Sequence, residues 1–287
     1  MPPGLRHSQQ VVERGADTPP LDLHVFALDT EGRGSGKALS AEGRHPGLVW
    51  IHGGGYIIGS ASDAGRILHW VRAGYVVIAP EYRLAPEHPF PAGLQDCMAG
   101  LEETVRRAAD LGLDADRLVV AGGSAGGGGG GLAAALALRC RDVGIKAIRH
   151  LVLIAPMVDD TTVPPADVHL AVWGGAANRL GWDAYLHGLD HSGLPASYAA
   201  VARATDFSGL PPTTITVGTA DLFCNEAIEL ASRLLRSGVP VDLHVYAGLP
   251  HGFESLAPNS SQSRVLERDI FESIDRAATL RESQGAG

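Results

Sequence analysis

The sequence has no run of about 18 apolar residues, so no membrane-spanning helix is expected. Its first residues, MPPGLRHSQQVVERGAD, contain no apolar core of the kind a secretory signal needs. Cysteine is scarce: Cys97, Cys140 and Cys224 are odd in number, scattered and outside any CxxC pair. That excludes a disulfide framework and predicts reduced thiols in a cytoplasmic setting. Positive charge is also in deficit, the formal net charge being −9. Neither nucleic acid nor an anionic membrane therefore has electrostatic support as a partner. A neutral small molecule remains compatible with this balance, as does a homo-oligomer.

What is present is an ordinary globular composition: nearly half apolar, with about a fifth charged. The 287 residues are enough for one large α/β domain. Short apolar runs at 48–51, 75–79, 118–121, 151–155, 214–217 and 241–246 read as buried strands, and 21–27 as a weaker alternating one. Helical patterns lie between or after them, at 65–72, 91–110, 132–141, 226–236 and 264–281. This alternation predicts an α/β fold with a mostly parallel sheet covered by helices on both faces. Working residues in such a sheet sit where strands end at their carboxyl edge. Two segments break the rhythm. Residues 1–20 read as a partly disordered arm or lid element, and 157–205, with a helix near 179–188, as an inserted cap. The Gly-rich stretch 31–46 reads as a mobile hairpin loop.

Gly122-Gly123-Ser124-Ala125-Gly126 follows one strand and opens one helix. A nucleophile on so sharp a turn needs small neighbours two residues to either side, which this motif provides. A serine hydroxyl also needs a base within reach. His52-Gly53-Gly54-Gly55 follows another strand, and its glycines free backbone N–H groups to face a developing oxyanion. His52 itself is expected to orient this loop. Asp221 and His251 each follow a strand, giving the chain order Ser, acid, His that an α/β-hydrolase triad requires. Asp159, Asp206 and Asp242 compete for the acid role; His244, inside a strand, is a poor base.

These motifs, with YRLAPEHPFPA at 82–92, DLFCNE at 221–226 and HGF at 251–253, resemble the hormone-sensitive-lipase-like family of bacterial esterases. The resemblance covers about residues 20–280. It implies the α/β-hydrolase fold and a serine carboxylesterase for short- to medium-chain acyl esters, working through an acyl-enzyme with Ser124, Asp221 and His251. It also implies oxyanion donors at Gly54, Gly55 and Ala125, and a structural network of Arg83, Glu87 and Asp96. No metal or organic cofactor is expected, and Trp182 and Tyr185 would wall the substrate pocket. The sequence departs from the family pattern at Gly123 and Asn225, where acids are usual, and in a short arm before HGGG. The largest departure is the run of six glycines, Gly126–Gly131, for which a bulge with a residue at positive φ is favoured over plain helix.

Alternatives remain at this level. An amidase could use the same triad, and a ligand-binding protein could use the same scaffold. The glycine run satisfies the GxGxxG of dinucleotide binding at Gly126, Gly128 and Gly131, with Asp159 as the ribose acid. His187 and His191 have metal-ligand spacing but no third ligand.

Overall fold

The computed structural model describes residues 3–16, 18–29, 43–63, 65–123, 128–163, 172–187 and 189–285, with side chains to residue 276. Eight strands form one sheet: β1 (Leu5–Val12), β2 (Leu21–Leu28), β3 (His45–Ile51), β4 (Val76–Pro80), β5 (Leu113–Gly122), β6 (His150–Ile154), β7 (Thr213–Ala220) and β8 (Val241–Pro250). Their order across the sheet is β1-β2-β4-β3-β5-β6-β7-β8. The first two pairings are antiparallel, and β4 through β8 run parallel.

Side-chain parity along the central strands explains why both faces are covered. Successive residues of a strand point to opposite faces. Val49, Ile51, Leu118, Val120, Leu151 and Leu153 join one apolar cluster, while Leu48, Trp50, Val119, Ala121, Val152 and Ile154 join another. The helices are α1 (Ile67–Arg72), α2 (Ala92–Arg106), α3 (Gly128–Asp142), α4 (Gly175–Leu186), α5 (Cys224–Arg236), α6 (Phe253–Leu256) and α7 (Ser261–Gly285). Helices α2, α3 and α5 contribute to the first cluster, α1 and α7 to the second. On α5 the buried residues Ala227, Leu230, Ala231 and Leu234 recur at helical spacing, so one stripe meets the sheet. Helix α3 differs, being buried at almost every position, so it runs through the middle of its layer.

The strands and helices expected from periodicity are present. Within the N-terminal arm, Leu5–Val12 is an ordered edge strand paired along its whole length with β2. Its side chains are mostly exposed, so its sequence carries no apolar alternation to mark it. Residues 30–42, the core of the expected mobile loop, lie outside the described residues.

Candidate active site

Each sequence motif follows directly on the carboxyl end of a parallel strand. His52 follows β3, Gly123 follows β5, Asp221 follows β7 and His251 follows β8. The last two are brought together by register. Ala220 pairs with Pro250 across the parallel β7–β8 ladder after a two-residue register shift between Gly218 and Ala220. The next residue on each strand is therefore a neighbour of the other. His251 Nδ1 lies 2.8 Å from Asp221 Oδ2, with both side chains almost wholly buried. A carboxylate only accepts, so Nδ1 carries the hydrogen and Nε2 is the basic nitrogen. The other oxygen, Asp221 Oδ1, accepts the Phe223 N–H at 3.0 Å, which fixes the carboxylate plane. The Phe223 ring meets the imidazole edge-on at 5.3 Å.

The competing acids are engaged elsewhere. Asp242 pairs with Arg276 at 3.0 Å, Asp206 accepts from Ser208, and Asp159 caps its own loop at Thr161.

Ser124 and Ala125 lie outside the described residues, which stop at Gly123 and resume at Gly128. The two ends of this gap are close. A Cβ on Gly122 would overlap the Gly129 carbonyl, and one on Gly123 would meet Ile154 Cβ at 2.5 Å. The Gly123 N–H reaches the Ile51 carbonyl at 3.4 Å, so the chain leaves β5 beside the HGGG loop.

That loop is held rigidly. Gly54 and Gly55 have φ of 115° and 57°, which side chains rarely adopt. A Cβ on Gly54 would overlap the Ile58 carbonyl, and one on Gly55 the Trp173 indole. His52 Nδ1 donates to the Gly53 carbonyl at 2.7 Å, and the Tyr82 hydroxyl donates to the His52 carbonyl at 2.8 Å. Among the described residues the N–H groups of Gly54 and Gly55 donate no hydrogen bond, although both residues are buried. Buried backbone donors without a partner are rare, and oriented ones are what an oxyanion site consists of.

The glycine run supports this loop from behind. Gly128–Gly131 open α3, and none has positive φ, so the expected bulge is absent from these four residues. Each is instead pressed against other parts of the chain. A Cβ on Gly128 would lie 2.6 Å from Tyr56 N and 3.0 Å from Gly55 N; on Gly130 it would lie 2.8 Å from Pro156 Cα. At Gly129 it would overlap the Ile51 and His52 carbonyls, and at Gly131 the Met157 carbonyl and Tyr56 hydroxyl. The same crowding leaves no room for a diphosphate at Gly128 or Gly131, against the dinucleotide alternative.

Trp182 and Tyr185, on α4, are buried in an aromatic group with Tyr56: Tyr185 stacks on it at 4.1 Å, and Trp182 lies 5.2 Å away. Gly181 lets α4 approach so closely that a Cβ there would sit 2.7 Å from the Gly55 carbonyl. Beneath the site Arg83 grips Asp96 through Nε at 2.9 Å and Nη2 at 2.8 Å, and its backbone N–H adds a third bond. Glu87 is exposed and stands outside this network, a correction to the resemblance. Its place is taken by Arg14, 2.5 Å from Asp96 and 82 residues distant in sequence. Burial pushes the Asp96 carboxyl up, but the bonds from Arg83 and Arg14 outweigh it and hold the group below the usual aspartate range.

Residues 48–255 match the α/β-hydrolase fold family. The chain belongs to the hormone-sensitive-lipase-like α/β hydrolases. Esterase LipI of Mycobacterium tuberculosis is 33% identical over 219 residues, 74% of this chain and 67% of that protein. The crystal structure of esterase LipW from Mycobacterium marinum aligns with a TM-score of 0.80 at 32% identity, covering 96% of this chain and 82% of that one. Brefeldin A esterase, a bacterial homologue of human hormone-sensitive lipase, aligns at 0.78 and 27% identity, covering 96% and 78%. Among the described residues no helix is long and apolar enough to cross a membrane.

Proposed function

We propose that this hydrolase is a serine carboxylesterase acting on short- to medium-chain acyl esters, with Ser124 as nucleophile. The buried Asp221–His251 hydrogen bond at the strand ends carries the reading. The N–H groups of Gly54 and Gly55, which donate no hydrogen bond among the described residues, support it, as do the esterase names of the relatives.

Ser124 Oγ bonds to the ester carbonyl carbon while its proton passes to His251 Nε2. Asp221 holds the ring in the competent tautomer and stabilises the imidazolium that results. Negative charge gathers on the former carbonyl oxygen, where Gly54, Gly55 and Ala125 N–H groups receive it. The positive end of the α3 helix dipole, packed against Gly55, adds to that field. The alkoxy C–O bond then breaks, and His251 returns the proton so that alcohol leaves. Water attacks the acyl-enzyme carbon, gives its proton to His251, and Ser124 departs with that proton as the acid is released. Residues 157–205 serve as the cap, with Trp182 and Tyr185 stiffening its contact with the oxyanion loop.

A panel of p-nitrophenyl esters from acetate to palmitate tests this. Each buried CH₂ adds about 0.8 kcal/mol until the acyl site is full, so kcat/KM should peak at roughly two to eight carbons. Faster hydrolysis of palmitate than of butyrate would contradict the esterase reading in favour of a lipase.

A further inference from the structure

The segment 157–205, read above as the cap, leaves the sheet after β6 and returns before β7, and both of its roots are fastened to α5. At the entry, Glu226 Oε2 accepts the Asp159 N–H at 2.7 Å and the Thr162 hydroxyl at 3.2 Å. At the exit, Arg233 donates through Nη1 to the Ala202 carbonyl at 2.7 Å and through Nη2 to the Ala204 carbonyl. Glu226 and Arg233 are seven residues apart, so they stand on one face of α5. The two roots are also joined to each other. The Ala202 N–H donates to the Val158 carbonyl at 3.0 Å. Arg203 grips both oxygens of Asp160, through Nε at 2.9 Å and Nη2 at 2.5 Å.

Between its roots the segment reaches the other side of the site. Trp173 and Gly181 both lie against Gly55, where a Cβ would overlap the indole. Gly55 follows β3, whereas α5 follows β7. The strand order β3-β5-β6-β7 puts the ends of β5 and β6 between these two attachments. The segment therefore spans the carboxyl edge from the Asp221 turn to the HGGG loop, and Ser124 follows one of the strands between them.

Glu226 is unusual among these anchors. It is buried in the first turn of α5, five residues after Asp221, and forms no ion pair among the described residues. Burial pushes its carboxyl well above the usual glutamate range, against the opposing bonds from Asp159 and Thr162. A buried carboxyl without a cation is costly, and what offsets that cost here is the pair of donors it holds. We propose that Glu226 and the Asp160–Arg203 pair are positioning residues that fix the cap against α5 and thereby set the longest acyl chain the enzyme accepts. This rests on the ester-hydrolase reading above.

Hydrolysis of p-nitrophenyl butyrate and decanoate by the full chain tests it. The native enzyme should favour butyrate in kcat/KM. Glu226→Ala strips both donors at the entry root of their acceptor, and should lower the butyrate-to-decanoate ratio by about tenfold, the factor that one hydrogen bond is worth. The change should come mainly from a lower KM for decanoate. Glu226→Gln keeps a carbonyl acceptor in the same place, matches the neutral acid in shape and should keep the native ratio. The double variant Asp160→Ala/Arg203→Ala removes the ion pair as a unit, leaves no lone charge and should shift the ratio the same way by a smaller factor, because Arg203 is partly exposed. A purely structural role would lower Tm and leave the ratio where it is. An unchanged ratio in the folded ion-pair variant would therefore overturn the proposal, even if Glu226→Ala did not fold. Native hydrolysis of both esters without preference would overturn it while leaving the esterase reading intact. Failure to hydrolyse either ester would remove both.

Discussion

Asp221 uses one carboxylate oxygen for His251 and the other for the Phe223 N–H, so its position does not depend on the histidine. Replacing it with Asn keeps the size but puts an N–H₂ group where an acceptor is needed, and the imidazole loses its tautomer. Asp221→Asn should lower kcat by about 10³-fold or more with the fold unchanged by circular dichroism. Retention of more than about a tenth of the native rate would move the acid role elsewhere. Asp96 works differently, as a buried anion held by two arginines. Asp96→Asn should cost about 3 kcal/mol, because it strands Arg83 and Arg14 beside a neutral amide. The folded-state pKa of Asp96 is depressed, so its contribution is complete above the ordinary aspartate value and is lost as pH falls through the folded value. Urea titrations should therefore show the gap between native and variant closing below about pH 4. A gap that stays constant or widens there would contradict this role.

At the level of the element, α3 shows why a run of glycines was hard to read. Helix propensity makes each Gly about 0.8–1 kcal/mol worse than Ala, so the sequence alone argues against a regular helix at 128–131. The packing reverses that argument. The neighbours at Gly128, Gly129 and Gly131 are mostly backbone atoms of β3, the HGGG loop and Met157, which cannot rotate away. Gly129→Ala would gain the propensity but force back the Ile51 and His52 carbonyls, and overpacking of this kind costs about 1–3 kcal/mol or more. The expected result is a lower Tm together with a lower kcat, since the displaced backbone carries Gly54 and Gly55. Higher Tm with unchanged kcat would mean that the contact is loose. Sequence shows spacing along the chain but not approach across it, and the same limit hid Arg14 as the partner of Asp96. Strand β1 was hidden for another reason: on an exposed edge, LRHSQQVV needs no apolar face. The central strands were legible because burial on both faces demands continuous apolar runs. The Asp221–His251 pair was legible because each residue stands at a strand end, where the fold collects its chemistry.

For the whole molecule, six parallel strands from β4 to β8, β3 included, end along one edge, and that edge assembles the HGGG loop, the turn after β5 and the Asp221–His251 pair. None of these elements is a neighbour of another in sequence. The α4 segment seals the loop from one side, and α6, with Phe253 in the same apolar cluster as Trp50 and Ala121, ties the His251 turn to the sheet centre. On the function proposed above, this edge makes Ser124 nucleophilic. An alkyl fluorophosphonate, which phosphonylates an activated serine and releases fluoride, reads that property directly. Mass spectrometry of the labelled protein should show one adduct, on the peptide containing Ser124. It should be absent in Ser124→Ala and slowed by orders of magnitude in His251→Ala. A folded native protein that stays unlabelled, or one labelled on another residue, would contradict Ser124 as the nucleophile.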